Sequence, residues 1–243
     1  MPGGGMADAA TTATDEPGLT ADAGGRATGD HEAAAAGVAY WQARAEALGA
    51  RSVVSTDHDE PLEDITLRHR ALLLPELAAL IPLAPGPVRT VLDLGCGSGR
   101  LTADLAALAG LAIGVDPVAE LLDAAPAAEG VEYRLLEAGD APLPLSDGEA
   151  SVAFTCLVLG GIRGATALAA VGAELERVLA PCGIVFLAES VSDQPDAGHW
   201  AFRSVADYAA AMPWAGLQEI ARFDDAGDAV SILAGRKPAL ASN

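Results

Sequence analysis

The sequence is poor in aromatic residues, poor in basic residues and nearly without cysteine. Aromatics make up 4% of the 243 positions, which leaves little to stack against unpaired bases. Lys and Arg number 14 against 34 Asp and Glu, a formal net charge of −20. Binding to a phosphate backbone relies on cations that release its counterions, so no nucleic-acid partner is expected. The three cysteines, Cys96, Cys156 and Cys182, form no Cys-x-x-Cys pair. That argues against a disulfide frame and against a zinc site, and no metal is expected. The longest apolar stretch near the middle, residues 151–162, falls well short of the roughly 20 residues needed to cross hydrocarbon, so no membrane span is expected. The opening MPGGGMADAATTATDEPG has neither a basic n-region nor an apolar h-region; the expectation is a cytoplasmic protein without a secretory signal.

What is present is an apolar, alternating chain. Hydrophobic residues make up 51%, enough for a sizeable core in one domain of ordinary length. Residues 1–33 are Gly, Ala, Thr and Asp with almost no large apolar side chains, and a disordered tail is expected there. Residues 34–86 read as an N-terminal helical segment. In it Val38, Trp41, Ala45 and Leu48 recur at helical spacing up to Gly49, and a second helix covers 62–80 before Pro82, Pro85 and Pro87 break the pattern. Residues 87–238 alternate strand-like runs (90–94, 111–115, 131–136, 151–157, 184–188) with Ala/Leu/Glu-rich helical stretches (101–109, 118–124, 165–179). Two further runs, 217–223 and 229–234, flank an acidic turn. The pattern predicts an α/β fold: a doubly wound, seven-stranded, mostly parallel sheet with helices on both faces and a C-terminal antiparallel hairpin.

The chemistry concentrates in Val91-Leu92-Asp93-Leu94-Gly95-Cys96-Gly97-Ser98-Gly99-Arg100. An apolar strand runs straight into a glycine-rich turn and then a helix. Glycine there permits positive φ and lets a ligand lie against bare backbone beside helix-start N–H groups. Asp116 ends the next strand, where a carboxylate can accept hydrogen bonds from both hydroxyls of a ribose. A nicotinamide dehydrogenase would require Gly-x-Gly-x-x-Gly, whereas Gly99 here is followed by Arg100.

These residues resemble the class I S-adenosylmethionine-dependent methyltransferases, over roughly residues 88–237. The family's glycine motif reads Leu92 to Gly99, and its acidic residue after strand two is Asp116, followed by Pro117. Its adenine-side segment reads Gly139-Asp140-Ala141 ahead of Leu143-Pro144. Its helix-to-strand-five signature is similar to Leu175-Glu176-Arg177-Val178-Leu179-Ala180-Pro181-Cys182-Gly183. The resemblance implies S-adenosylmethionine as cofactor and S-adenosylhomocysteine as product. It implies that Gly95 and Gly97 accommodate the methionine portion, Asp116 the ribose, Asp140 and Ala141 the adenine, and Leu157 a place beside the methionine moiety and the substrate. Cys96, read as packing inside the motif, and Pro117 also count among the cofactor-binding residues. Asp93 lies in the motif and orients nearby backbone or a water. In related enzymes a segment like Tyr40-Trp41 lids the cofactor, which implies an N-terminal helical lid over residues 34–86, and an arginine placed like Arg70 holds its carboxylate. For Arg70 a solvated helix face, and for Trp41 core packing, stand as the alternatives.

The sequence departs from the family after strand four, where Leu157-Val158-Leu159-Gly160-Gly161 replaces Leu-x-Leu-His-His. No histidine from that position can serve as base. His199, beside Trp200 and Arg203 in the segment that commonly builds the substrate pocket, is the candidate base, with a surface histidine as the alternative. His58 and His69 read as surface residues, and Cys156 and Cys182 as small buried hydrophobes. The expected activity is methyl transfer to an O or N nucleophile of a small molecule or short peptide, in natural-product tailoring. A cofactor-binding protein of the same fold that does not methylate is the alternative. Monomer and homodimer both remain open.

Overall fold

The computed structural model describes residues 37–54, 60–86, 89–137, 142–196 and 198–240. The expected tail, His58, Asp140 and Ala141 lie outside them. Seven strands form one sheet: β1 (Arg89–Leu94), β2 (Gly110–Asp116), β3 (Val131–Leu135), β4 (Ala150–Cys156), β5 (Leu179–Ser190), β6 (Gln218–Asp225) and β7 (Asp228–Arg236). Their spatial order is β3-β2-β1-β4-β5-β7-β6. The first five strands pair in parallel, while β7 runs antiparallel to both β5 and β6. The doubly wound arrangement and its closing hairpin agree with the sequence pattern.

Helices cover both faces because the central strands are apolar on both sides, as parallel strands are. Alternation along β1 divides them: Val91 faces a core that includes Leu73 and Leu77 of α2 (Leu62–Leu80) and Leu105 of α3 (Thr102–Ala109). Leu92 and Leu94 face the opposite core, with Leu168 and Leu175 of α5 (Ala165–Val178) and Tyr208 of α6 (Val205–Ala211). α2 buries Ile65, His69, Leu73 and Leu77, a four-residue spacing that makes one continuous stripe. A first helix, α1, runs over residues 37–48 and a short α4 covers Ala119–Asp123.

Most boundaries shift by one or two residues, and two shift further. The chain does not stop coiling at Gly49; it tightens into a 3-10 turn over Gly49–Val53. Strand β5 begins at Leu179, earlier than the apolar run predicted, because Leu179 pairs with Ala150 across an irregularity. Pro181 lacks a ladder donor and Cys182 takes φ 63°, which accounts for the break. Among the described residues no helix is long and apolar enough to cross a membrane.

The sheet order reverses between β1 and β4, which lie side by side although β1's chain continues into β2. At such a switch point the loops leaving the two strands diverge to opposite faces and open a crevice beyond the strand ends. Register makes the three tips level: Leu94 pairs with Val115 of β2 and with Thr155 of β4.

Candidate active site

The glycine turn leaves β1 at this crevice. Gly95 and Gly97 adopt φ +70° and +54°, conformations L side chains rarely hold. Both also lack room: a Cβ on Gly95 would stand 2.5 Å from Val158 Cγ1, and one on Gly97 2.5 Å from Val53 Cγ1. The Asp116 carboxylate staples this turn to β2. Its Oδ2 accepts from the Gly97 N–H at 2.8 Å and its Oδ1 from the Val118 N–H at 2.9 Å. Burial raises the Asp116 pKa, and the two N–H donors pull it back. Each oxygen keeps a further lone pair for a ligand.

A cavity of about 460 Å³ opens beside these groups, within the range of small-molecule and cofactor sites. Gly95, Cys96, Gly97, Asp116, Pro117, Leu157 and Trp41 all line it. The structure thus brings together most of the residues the sequence singled out. Leu136 and Leu143 also line it, while Asp140 and Ala141 lie outside the described residues.

Two expected residues are elsewhere. Asp93 faces the α3 side of the sheet and accepts from the Thr102 hydroxyl at 2.6 Å. Burial pushes its carboxyl up to about 7, and it does not line the cavity. Arg70 pairs with Asp104 at 2.6 Å and is also away from the lining. The arginine that does reach the cavity is Arg100, at the end of the glycine motif. One of its terminal nitrogens donates to Cys156 Sγ at 3.6 Å, and the other is buried with no partner among the described residues. A solvated helix face cannot be told from a ligand contact by spacing alone; Arg70 takes the helix-face alternative, and the arginine at the cavity is the one directly after Gly99.

The turn after β4 is strained and firmly held. Leu157 takes φ 58°, costly for a side chain with Cβ and common where neighbours over-determine a functional wall. Glu189, fully buried at the end of β5, supplies the clamp. Its oxygens accept from the Thr155 hydroxyl at 2.7 Å and from the N–H groups of Val158 and Leu159 at 3.1 Å. Burial pushes this carboxyl up to about 7, against those donors. Sequence reasoning passed over Glu189; an acid closing the apolar run of β5 was the available signal.

Gly160 and Gly161 make room for indoles. A Cβ on Gly160 would be 2.1 Å from Trp200 Cε2, and one on Gly161 3.2 Å from Trp41 Nε1. Segment 199–203 docks on this turn, with the Ala201 N–H donating to the Gly160 carbonyl at 2.7 Å and buried Arg203 donating to the Leu159 carbonyl at 2.6 Å. Docking delivers His199 to α1. Its ring stacks on Tyr40 with centroids 3.9 Å apart and meets Trp41 edge-on at 5.6 Å. Burial lowers the His199 pKa, and the charge of Arg44 lowers it further. His199 is beside the cavity wall and not part of it. His69, read as a surface residue, is fully buried and bonded to Asp225 at 2.9 Å.

Comparison with known proteins agrees with this geometry. Residues 92–187 match the family model described as a methyltransferase domain. An uncharacterized methyltransferase of Mycobacterium tuberculosis is 32% identical over 112 residues, 46% of this chain and 44% of that protein. The chain therefore aligns with less than half the length of the curated relatives it matches. Among solved structures, magnesium protoporphyrin IX methyltransferase from Synechocystis has a TM-score of 0.63 at 15% identity, covering 83% of this chain and 99% of that one. The [4+2]-cyclase SpnF has a TM-score of 0.52 at 16% identity, covering 68% and 80%. At such identities the structural likeness speaks for the fold, and the family match speaks for the strands and loops that build the crevice. Residues 92–187 are thus similar to a methyltransferase domain, set in a fold shared with solved methyltransferases.

Proposed function

We propose that this protein transfers a methyl group from S-adenosylmethionine to an O or N nucleophile of a small, largely apolar molecule, as in natural-product tailoring. The observation that carries the proposal is the crevice beside β1, β2 and β4, where a bare glycine backbone and a carboxylate with spare lone pairs share one cavity. When bound, the cofactor supplies an activated sulfonium methyl. The chain's part is to bind, align and exclude water, and alignment alone lowers barriers by roughly 7–11 kcal/mol. Asp116 would hold the ribose hydroxyls, and the backbone of Gly95 and Gly97 would run along the methionine portion. Arg100, with one nitrogen unpartnered among the described residues, would hold the carboxylate in place of Arg70. Asp140 and Ala141 keep the adenine role that the resemblance implies, while Trp41 on α1 would close the cavity as part of a lid.

His199 is the proposed base. Its lowered pKa keeps it neutral near pH 7, able to take a proton from the acceptor, a contribution worth about 10²- to 10⁴-fold. The apolar lining by Ile162, Ala167, Ala170 and Val171 supports an uncharged acceptor. Release of S-adenosylhomocysteine in the presence of a panel of phenols and amines tests the activity. His199→Ala should then lower turnover at least tenfold with cofactor affinity unchanged; full turnover in that variant removes His199 as base. The likeness to a structure described as a cyclase supports a second reading, cofactor binding without methyl transfer. Tight cofactor binding with no S-adenosylhomocysteine released over the whole panel would favour it.

A further inference from the structure

Behind the cavity wall Cys156, His69 and Asp225 form a chain of polar groups that methyl transfer does not use. Cys156, the last residue of β4, lines the cavity. Its Sγ is 3.8 Å from Nδ1 of His69 on α2, and the other nitrogen of that ring, Nε2, is 2.9 Å from Asp225 Oδ2 at the end of β6. Arg100 donates to the same sulfur from the glycine turn at 3.6 Å. Asp225 is itself fixed by Arg68, which donates to Oδ1 at 2.8 Å. The carboxylate accepts a hydrogen bond from the Nε2–H of His69, so Nδ1 carries the lone pair and turns it toward the thiol. This is the order nucleophile, base, orienting acid, with a cation beside the nucleophile.

We propose that Cys156, His69 and Asp225 form a nucleophilic triad whose thiol opens on the cavity and is alkylated by soft, uncharged carbon electrophiles small enough to enter. In the step, Cys156 Sγ forms a bond to the electrophilic carbon as the leaving group departs with its electron pair. The thiol proton passes to His69 Nδ1, and Asp225 stabilises the imidazolium. Arg100 faces the developing negative charge on sulfur. The site does not depend on the methyl-transfer reading.

A thiol buried only for packing behaves differently with pH. Burial pushes the Cys156 thiol up to about 11, so an unassisted thiol would react only through its rare thiolate, about tenfold faster per pH unit up to that value. His69 is the group that changes this. Burial lowers its pKa, with Arg100 and Arg68 also lowering it and Asp225 opposing them; the Phe223 ring completes its surroundings. It is therefore neutral at pH 7, ready to take the proton.

The test is alkylation of the intact chain by iodoacetamide, followed by mass spectrometry of each cysteine peptide from pH 6 to 10, with Cys182 as internal reference. The triad predicts that Cys156 reacts at least tenfold faster than Cys182 at pH 7 and levels off above neutrality. His69→Gln should slow Cys156 at least tenfold and leave Cys182 unchanged. A rate at Cys156 equal to or below that at Cys182, or one climbing tenfold per unit to pH 10, overturns the proposal. So does a folded His69→Gln variant that reacts like the wild type. Should His69→Gln fail to fold, the wild-type pH profile and Asp225→Asn decide by the same criteria.

Discussion

Trp200 and Gly160 occupy each other's space, and the exchange explains a departure from the family pattern. With a Cβ at position 160 only 2.1 Å from the indole, no histidine fits there while Trp200 stays docked. Gly160→Ala should lose about 1–3 kcal/mol of stability through overpacking, measured by chemical denaturation. Gly161→Ala, where the nearest atom of Trp41 is 3.2 Å away, should lose less. The imidazole the family carries on this turn is absent, and His199 arrives nearby from another segment. Spacing along the chain cannot show that convergence, because it depends on Ala201 and Arg203 bonding back to residues 159 and 160. The meeting of Gly95, Gly97 and Asp116 at one crevice was legible, since glycine and a strand-end acid announce themselves by residue type. Arg70 and Arg100 were not separable, because an arginine's reach covers several possible partners.

Between elements, buried polar groups decide how the strand tips are held. Glu189 joins β5 to the strained turn after β4, and Glu189→Ala would leave the Val158 and Leu159 N–H groups and the Thr155 hydroxyl without their acceptor. A loss of about 2–4 kcal/mol is expected, each orphaned buried donor costing about 1–3 kcal/mol with partial relaxation. Equilibrium unfolding in urea measures it. His69 joins α2 to the hairpin of β6 and β7 through Asp225, and its lowered pKa has a defined consequence. Unfolded, the imidazole takes a proton near pH 6.5; folded, it resists until lower pH. Protonation therefore favours unfolding, and the stability advantage of the wild type over His69→Gln should shrink as pH falls through about 6.5. Thermal melts of both proteins between pH 5 and 8 check this; a constant difference would show that His69 titrates alike in both states. Elements themselves were readable: α2 begins and ends where its apolar period does, and β1 where its apolar run does. The start of β5 was not, because a strand that crosses Pro181 and a positive-φ Cys182 hides its continuity.

Over the whole molecule, the order β3-β2-β1-β4-β5-β7-β6 follows from alternating strand and helix patterns closed by a turn-linked pair. It places the reversal, and with it the crevice, at the two strands that carry the glycine turn and Cys156. The chain's formal charge of −20 disfavours the approach of anions in general, so an uncharged or cationic acceptor is expected over a phosphorylated one. Turnover with matched neutral and phosphorylated acceptors at low salt should favour the neutral partner, and the preference should narrow as salt rises. The most direct measurement is calorimetric titration of the intact chain and of Asp116→Ala with S-adenosylmethionine. One equivalent should bind to the wild type, and the variant should bind at least tenfold more weakly, about 1.4 kcal/mol. No binding by the wild type, or equal affinity in the two proteins, would contradict the assignment of the crevice to this cofactor.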